Sequence, residues 1–157
     1  MFKASIRTTV THDLDEIIKN LEELDNAEVS AGYYDSQEHP EHDLTVPEIA
    51  TINNYGFFNV PRRPFMSDAG QDNIKKTTEY IGEAIVDAIQ NKPVDDDLQR
   101  AADNLKQNIQ ARILTNDYEE NKEPYKSFKQ EVYGHTKPLI ATGYMKDNVN
   151  TRVKKGG

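Results

Sequence analysis

Asn53-Asn54-Tyr55-Gly56-Phe57-Phe58-Asn59-Val60-Pro61-Arg62-Arg63-Pro64-Phe65-Met66 is the segment from which the neighbouring elements of this chain can be placed. Upstream, Thr45 and Pro47 mark a helix start. A threonine oxygen accepts from the unpaired N–H groups of a first turn, and a proline there forfeits no hydrogen bond. Ile49, Ala50, Ile52 and Asn53 carry that helix to Tyr55-Gly56, where glycine's access to the left-handed region predicts a stop. Pro61 and Pro64 fix their own φ and disfavour helix at the residue before, so 60–65 should run extended. Phe65 and Met66 read as core anchors for the helix that follows. Asp68 with Gln71 has capping-box spacing, and Ile74, Thr78, Ile81, Ile85 and Ile89 recur at the helical period until Pro93.

Further downstream, Asp95-Asp96-Asp97 opens a second long helix carrying Leu98, Ala101, Ala102, Leu105, Ile109 and Ile113 on one stripe. The two helices should pack as an antiparallel hairpin across the 91–95 turn. Upstream, Phe2 to Val10 alternates and favours β structure, which predicts a first strand. Thr11 and Asp13 then offer caps for an amphipathic helix with Leu14, Ile17, Ile18, Leu21 and Leu24 inside and an acidic outer face, its early carboxylates favourable to the helix dipole. Residues 28–34 read as a second strand with Val29, Ala31 and Tyr33 on one face. The polar stretches 35–45, with Pro40, and 116–136, with Pro124 and Gly134, are expected to be mobile loops. A short helix over 142–148, capped by Thr142, and a strand over 149–154 complete the pattern. The fold class predicted is α+β: a small antiparallel or mixed sheet packed against several amphipathic helices, including a long helical hairpin. The chain reads as a single domain over 1–157 with a basic tail at 150–157.

Composition narrows the chemistry. No cysteine is present, so disulfides, thiolate metal sites and a Cys nucleophile are excluded. No apolar run approaches the roughly 20 residues that span a bilayer, and no signal-peptide core stands at the start; a soluble protein made in the cytoplasm, with no membrane partner, is expected. A net charge of −8 disfavours non-specific nucleic-acid binding. The charge is uneven: Asp13, Asp15, Glu16, Glu22, Glu23, Asp25 and Glu28 face a single Lys19, whereas Lys146, Arg152, Lys154 and Lys155 share the tail with Asp147. Those flanks are either two solvated surfaces or opposite-sign partners for self-association. His39-Pro40-Glu41-His42 has HxxH spacing, but Pro40 works against the helix that would converge two imidazoles on a metal. No serine has nucleophile-elbow surroundings, and no Gly-rich phosphate loop occurs. Neither an enzyme activity nor a cofactor is expected.

Arg62 and Arg63, clamped between prolines, have few backbone states to lose and suit bidentate pairing with a carboxylate across an interface; the alternative is a local cap or ion pair. Tyr55, Phe57 and Phe58 read as core, with one ring exposed. A second marked segment, Lys137-Pro138-Leu139-Ile140-Ala141-Thr142-Gly143-Tyr144-Met145-Lys146, would dock a loop through Pro138-Leu139 and start a helix at Thr142. In order and spacing the two segments resemble the small neck and tail-completion proteins of long-tailed bacteriophages, whose pattern is N-E-x-G, I-P-x-R-P-F, a long helix, then P-L-x-x-T-G-x-L. This chain departs from it at Asn54, where Glu is usual, at Tyr55-Gly56 for Phe-Gly, at Tyr144-Met145, and at Asn148-Val149 for Ser-Ile.

The resemblance covers about residues 30 to 153 and implies a structural virion protein. Such subunits form a homo-oligomeric ring, hexameric or dodecameric, between connector or stopper proteins and a tail terminator, with DNA passing through the lumen unbound. It implies location at the head–tail junction and no catalysis. Because a ring requires two unlike surfaces that meet, candidate interface residues are Arg62, Arg63, Lys137, Arg152, Lys154 and Lys155 against Asp15, Glu16, Glu22 and Glu23. The alternative function is a small non-enzymatic adaptor or regulator binding one partner through a helical face; a hydrolase built on His39 and His42 ranks behind both.

Overall fold

The computed structural model describes residues 2–34, 37–41, 43–115 and 117–156, with side chains from Leu14 onward. In chain order the elements are α1 (Phe2–Asp25), β1 (Glu28–Gly32), α2 (Val46–Tyr55), α3 (Phe65–Asp72), α4 (Ile74–Ile89), α5 (Asp95–Thr115), α6 (Tyr125–Tyr133), α7 (Tyr144–Asp147) and β2 (Asn150–Lys154). β1 and β2 pair antiparallel as a two-stranded sheet, and the class is α+β as expected.

Three expectations are corrected. Residues 2–10 are helical and continue into α1 without a break, so Thr11 and Asp13 lie within the helix and not at its start, and the first turn has no acid. No glycine or proline interrupts 2–25, and a helix anchored further along extends cheaply through β-favouring residues because each added residue gains a bond. Secondly, 116–136 contains α6, which Pro124 precedes and Gly134 ends in the left-handed conformation at φ 72°. Thirdly, the one helix expected between Asp68 and Pro93 is two helices separated at Asn73, and α3 starts at Phe65, so Asp68 lies inside it and forms no capping box. Asp68 instead accepts a hydrogen bond from the Tyr118 hydroxyl at 2.8 Å.

The single domain expected from length resolves into two compact units, each assembled from distant segments. Unit 1 comprises Met1–Ser30, Lys75–Asn104 and Arg152–Gly157. Its core is Ala84 and Ala88 of α4 against Val94 and Leu98, with Leu21, Leu24, Ala27, Val29 and Val153 packed around them. Arg100 pairs with Glu83 and covers the Tyr80 ring, so later α5 residues meet earlier α4 residues and the hairpin is antiparallel. α4 turns its alanines to α5, because small side chains allow close approach of the axes. The isoleucine stripe is therefore not the packed face: Ile74, Ile81, Ile85 and Ile89 are exposed, as is Val86. At the hairpin turn Asn91 ties α1 down, donating to Glu16 at 2.6 Å and accepting from Asn20 at 3.0 Å.

Unit 2 comprises Ala31–Ile74 and Leu105–Thr151. Val46, Ala50, Phe65, Ala69, Ile109, Ile113, Met145 and Val149 form its buried core, joined by Ala31, Tyr33 and Met66. Full burial of each large apolar side chain here contributes about 1.5–3 kcal/mol. α2 starts as expected: Thr45 accepts from Glu48 N–H, and Glu48 returns the bond to Thr45 N–H at 2.8 Å, which completes a capping box. The Glu48 carboxyl is held below its usual range by that backbone bond and the threonine hydroxyl. A forked ion pair from Arg112 to Asp72, at 2.5 and 2.6 Å, fastens the end of α3 to α5.

Candidate functional site

Residues 53–66 form a self-bonded clasp. Gly56 ends α2 at φ 80°, and its missing Cβ leaves room for Arg62, which an added methyl would approach to 2.9 Å. Asn54 is buried, accepts from Met66 N–H at 3.2 Å and donates to Ser67 Oγ at 3.3 Å. It thereby caps α3, whose own N-cap is a proline without a side-chain donor or acceptor. Arg63 is 1% exposed. Its guanidinium donates to the Glu119 carbonyl at 2.8 Å, Asn53 Oδ1 at 2.7 Å and Asn121 Oδ1 at 2.9 Å. Burial lowers its pKa, opposed by the charge of Glu119 and by Tyr125.

Between Gly56 and Arg62 the chain makes a tight turn, Val60 N–H donating to the Phe57 carbonyl at 3.0 Å. Both central residues are left-handed, Phe58 at φ 55° and Asn59 at φ 63°. Asparagine suits that region; phenylalanine there costs about 1 kcal/mol or more. The strain holds Phe58 84% exposed, beside exposed Tyr55 and Phe57. All three rings lie outside the core, where one was expected to.

The second marked segment meets the first across a pocket of about 90 Å³, lined by Asn53, Asn121, Tyr125, Lys129 and residues 139–145. Leu139 is also left-handed, at φ 52°, and Ile140 N–H donates to the Pro138 carbonyl. That tight turn aims the Lys137 and Ile140 carbonyls at Nζ of Lys129, which donates to both. Lys129 is 2% exposed. Burial, with the neighbouring charge of Arg63, pushes its pKa down to about 8. α7 starts later than expected: Gly143, left-handed at φ 84°, is its N-cap, and Thr142 stands one residue outside, its Oγ1 accepting from Tyr144 N–H at 3.4 Å.

The candidate interface residues divide. Arg62 is exposed, but Arg63 is spent inside its own chain and leaves the list. Lys137 keeps an exposed side chain while its carbonyl serves Lys129. Glu22, Glu23, Lys154 and Lys155 line one cleft of unit 1. There Lys155 pairs with Asp95 at 2.6 Å and lies 3.8 Å from Glu23, and Gly156 N–H bonds the Glu23 carbonyl. The opposite-sign flanks thus meet within the chain. Asp15, Glu16 and Arg152 are exposed, Glu16 bonded to Asn91 and the Arg152 carbonyl to Ser30. His39 Nδ1 accepts from Glu41 N–H and its ring meets Tyr144 edge-on; His42 lies outside the described residues. Among the described residues no group of three His, Asp or Glu could hold a metal, and no helix is long and apolar enough to cross a membrane.

Charge patterning did not reveal the apolar surfaces. Unit 1 has a groove of about 440 Å³ lined by Leu21, Leu24, Val29, Ile81, Ile85 and Leu98, with Asp25 also on its wall. Unit 2 presents the aromatic turn and, on α6, exposed Tyr125, Phe128 and Val132. Comparison of the chain with family models, with curated proteins and with solved structures finds no match.

Proposed function

We propose that this chain is a structural subunit of a bacteriophage neck, assembling with copies of itself into a ring that joins the head connector to the tail. The observation that carries this reading is the strained Phe58 turn, which keeps three aromatic rings in water on unit 2 while unit 1 keeps an isoleucine-lined groove open. Large exposed apolar patches mark association surfaces. A ring needs two unlike ones on each subunit. The two sequence segments that resemble the neck family also meet at one pocket, as expected if their spacing reflects a shared fold. The subunit has a positioning role at the head–tail junction and no catalytic one.

Electron microscopy of particles carrying the protein, with sedimentation of the purified chain, tests this. Closed rings of uniform copy number at the junction between head and tail are expected. A concentration-independent monomer absent from particles would sink the reading. It would favour the adaptor alternative, for which the unit 1 groove offers a seat for an amphipathic helix.

A further inference from the structure

Two buried cations meet in unit 2, where no buried carboxylate pairs them among the described residues. Arg63 and Lys129 are both almost inaccessible, and the charge of Arg63 is felt at Lys129. Among the described residues their hydrogen bonds run to neutral oxygens: the Glu119, Lys137 and Ile140 carbonyls and the Asn53 and Asn121 amides. Glu119 acts on Arg63 through its charge, from an exposed position. Charge buried without a counter-charge is costly.

Donors also outnumber acceptors among the described residues. Protonated Lys129 has three N–H groups and two carbonyl partners, Arg63 has five and three partners, and Nδ2 of Asn121 is buried with none. Whatever fits here must bring acceptors and negative charge. Asn53, Asn121 and Lys129 wall the pocket of about 90 Å³, roughly the space of three water molecules. That suits a carboxylate, sulfate or phosphate group.

We propose that this pocket binds a small oxyanion, held by the third N–H of Lys129 and by Nδ2 of Asn121 with Arg63 behind them. Tyr125 and Thr142, on the same wall, offer hydroxyl donors. The strained turn at Leu139 keeps two carbonyls on Lys129 and so reserves its remaining N–H for the ligand. The oxyanion is either a free inorganic ion or a carboxylate carried in by another chain; the recognising chemistry is the same. The site lies within unit 2 and does not depend on ring assembly.

Thermal unfolding of the full chain in sodium chloride, sodium sulfate and sodium acetate at fixed ionic strength tests it. Sulfate or acetate should raise Tm saturably over chloride, by about 4 °C at ten times the dissociation constant. Lys129→Met reports the general salt effect alone and should lack the saturable part. Asn121→Asp puts a carboxylate in reach of Arg63 and Lys129; it should melt above wild type in chloride and lose the response to added anion. A response to acetate at or below the sulfate concentration identifies a protein carboxylate as the source, and a response to sulfate alone an inorganic ion. Should neither anion exceed the shift seen in Lys129→Met, or should Asn121→Asp respond as wild type does, the assignment is overturned.

Discussion

At Lys129 the neutral amine has as many N–H groups as the Lys137 and Ile140 carbonyls can accept, and the ammonium has one more. This agrees with a pKa pushed down to about 8 from 10.5 by burial and by Arg63. Below pH 8 both folded and unfolded chains carry the proton, and the folded one bears the full penalty. Between pH 8 and 10.5 the unfolded chain binds more protons, so this group makes stability rise with pH. Wild type should therefore gain on Lys129→Met by about 2–3 kcal/mol across that window, read from urea midpoints at unchanged m. Lys129 was illegible in the sequence because a lysine in a polar stretch looks solvated; only the turn at Leu139, distant from the helix that carries it, buries the charge. Arg62 and Arg63 show the same limit. Both are clamped by prolines, yet one is in water and the other makes three internal bonds.

Local signals at helix ends were legible, and signals that depend on a partner were not. Thr45, Pro47 and Gly56 delimit α2 because capping is decided within a few residues. Pro124 and Gly134 bracket α6 in the same way, but were read as loop residues because the helix between them buries only Lys129 and has no core stripe to announce it. On α4 the period was right and the face wrong: isoleucines set the visible stripe, while Ala84 and Ala88 make the contact. At positions 2–10 β propensity lost to continuation of α1, a cooperative effect of the whole helix that no short window contains. Two glycines give the element-scale prediction. Gly56→Ala adds a Cβ at φ 80° against Arg62 and should cost well over about 1 kcal/mol. Gly82→Ala, in open space inside α4, should stabilise by about 0.5–1 kcal/mol. Thermal unfolding of the two variants side by side distinguishes a glycine the backbone requires from one it does not.

For the molecule as a whole, the apolar surface left in water separates stability from association. Phe58→Asp exchanges an exposed ring for a residue that tolerates the left-handed turn, and Ile85→Asp alters a partly exposed groove side chain, so neither should lower unfolding free energy by more than about 1 kcal/mol. If the aromatic turn and the isoleucine face are used between subunits, both variants should sediment as monomers at concentrations where wild type associates. Retained association in both would assign assembly to other surfaces. The discontinuity of unit 1 has a further consequence, in the order of synthesis. β1 emerges from the ribosome at Glu28, and its partner strand begins only at Asn150. At roughly 5–20 residues per second, that interval lasts on the order of 6–24 s. Throughout it the edge of β1 lies unpaired, and Leu21, Leu24 and Val29 lack the Val153 that later packs with them. The nascent chain, more than the finished subunit, is where mispairing between neighbouring copies on one message has its opportunity.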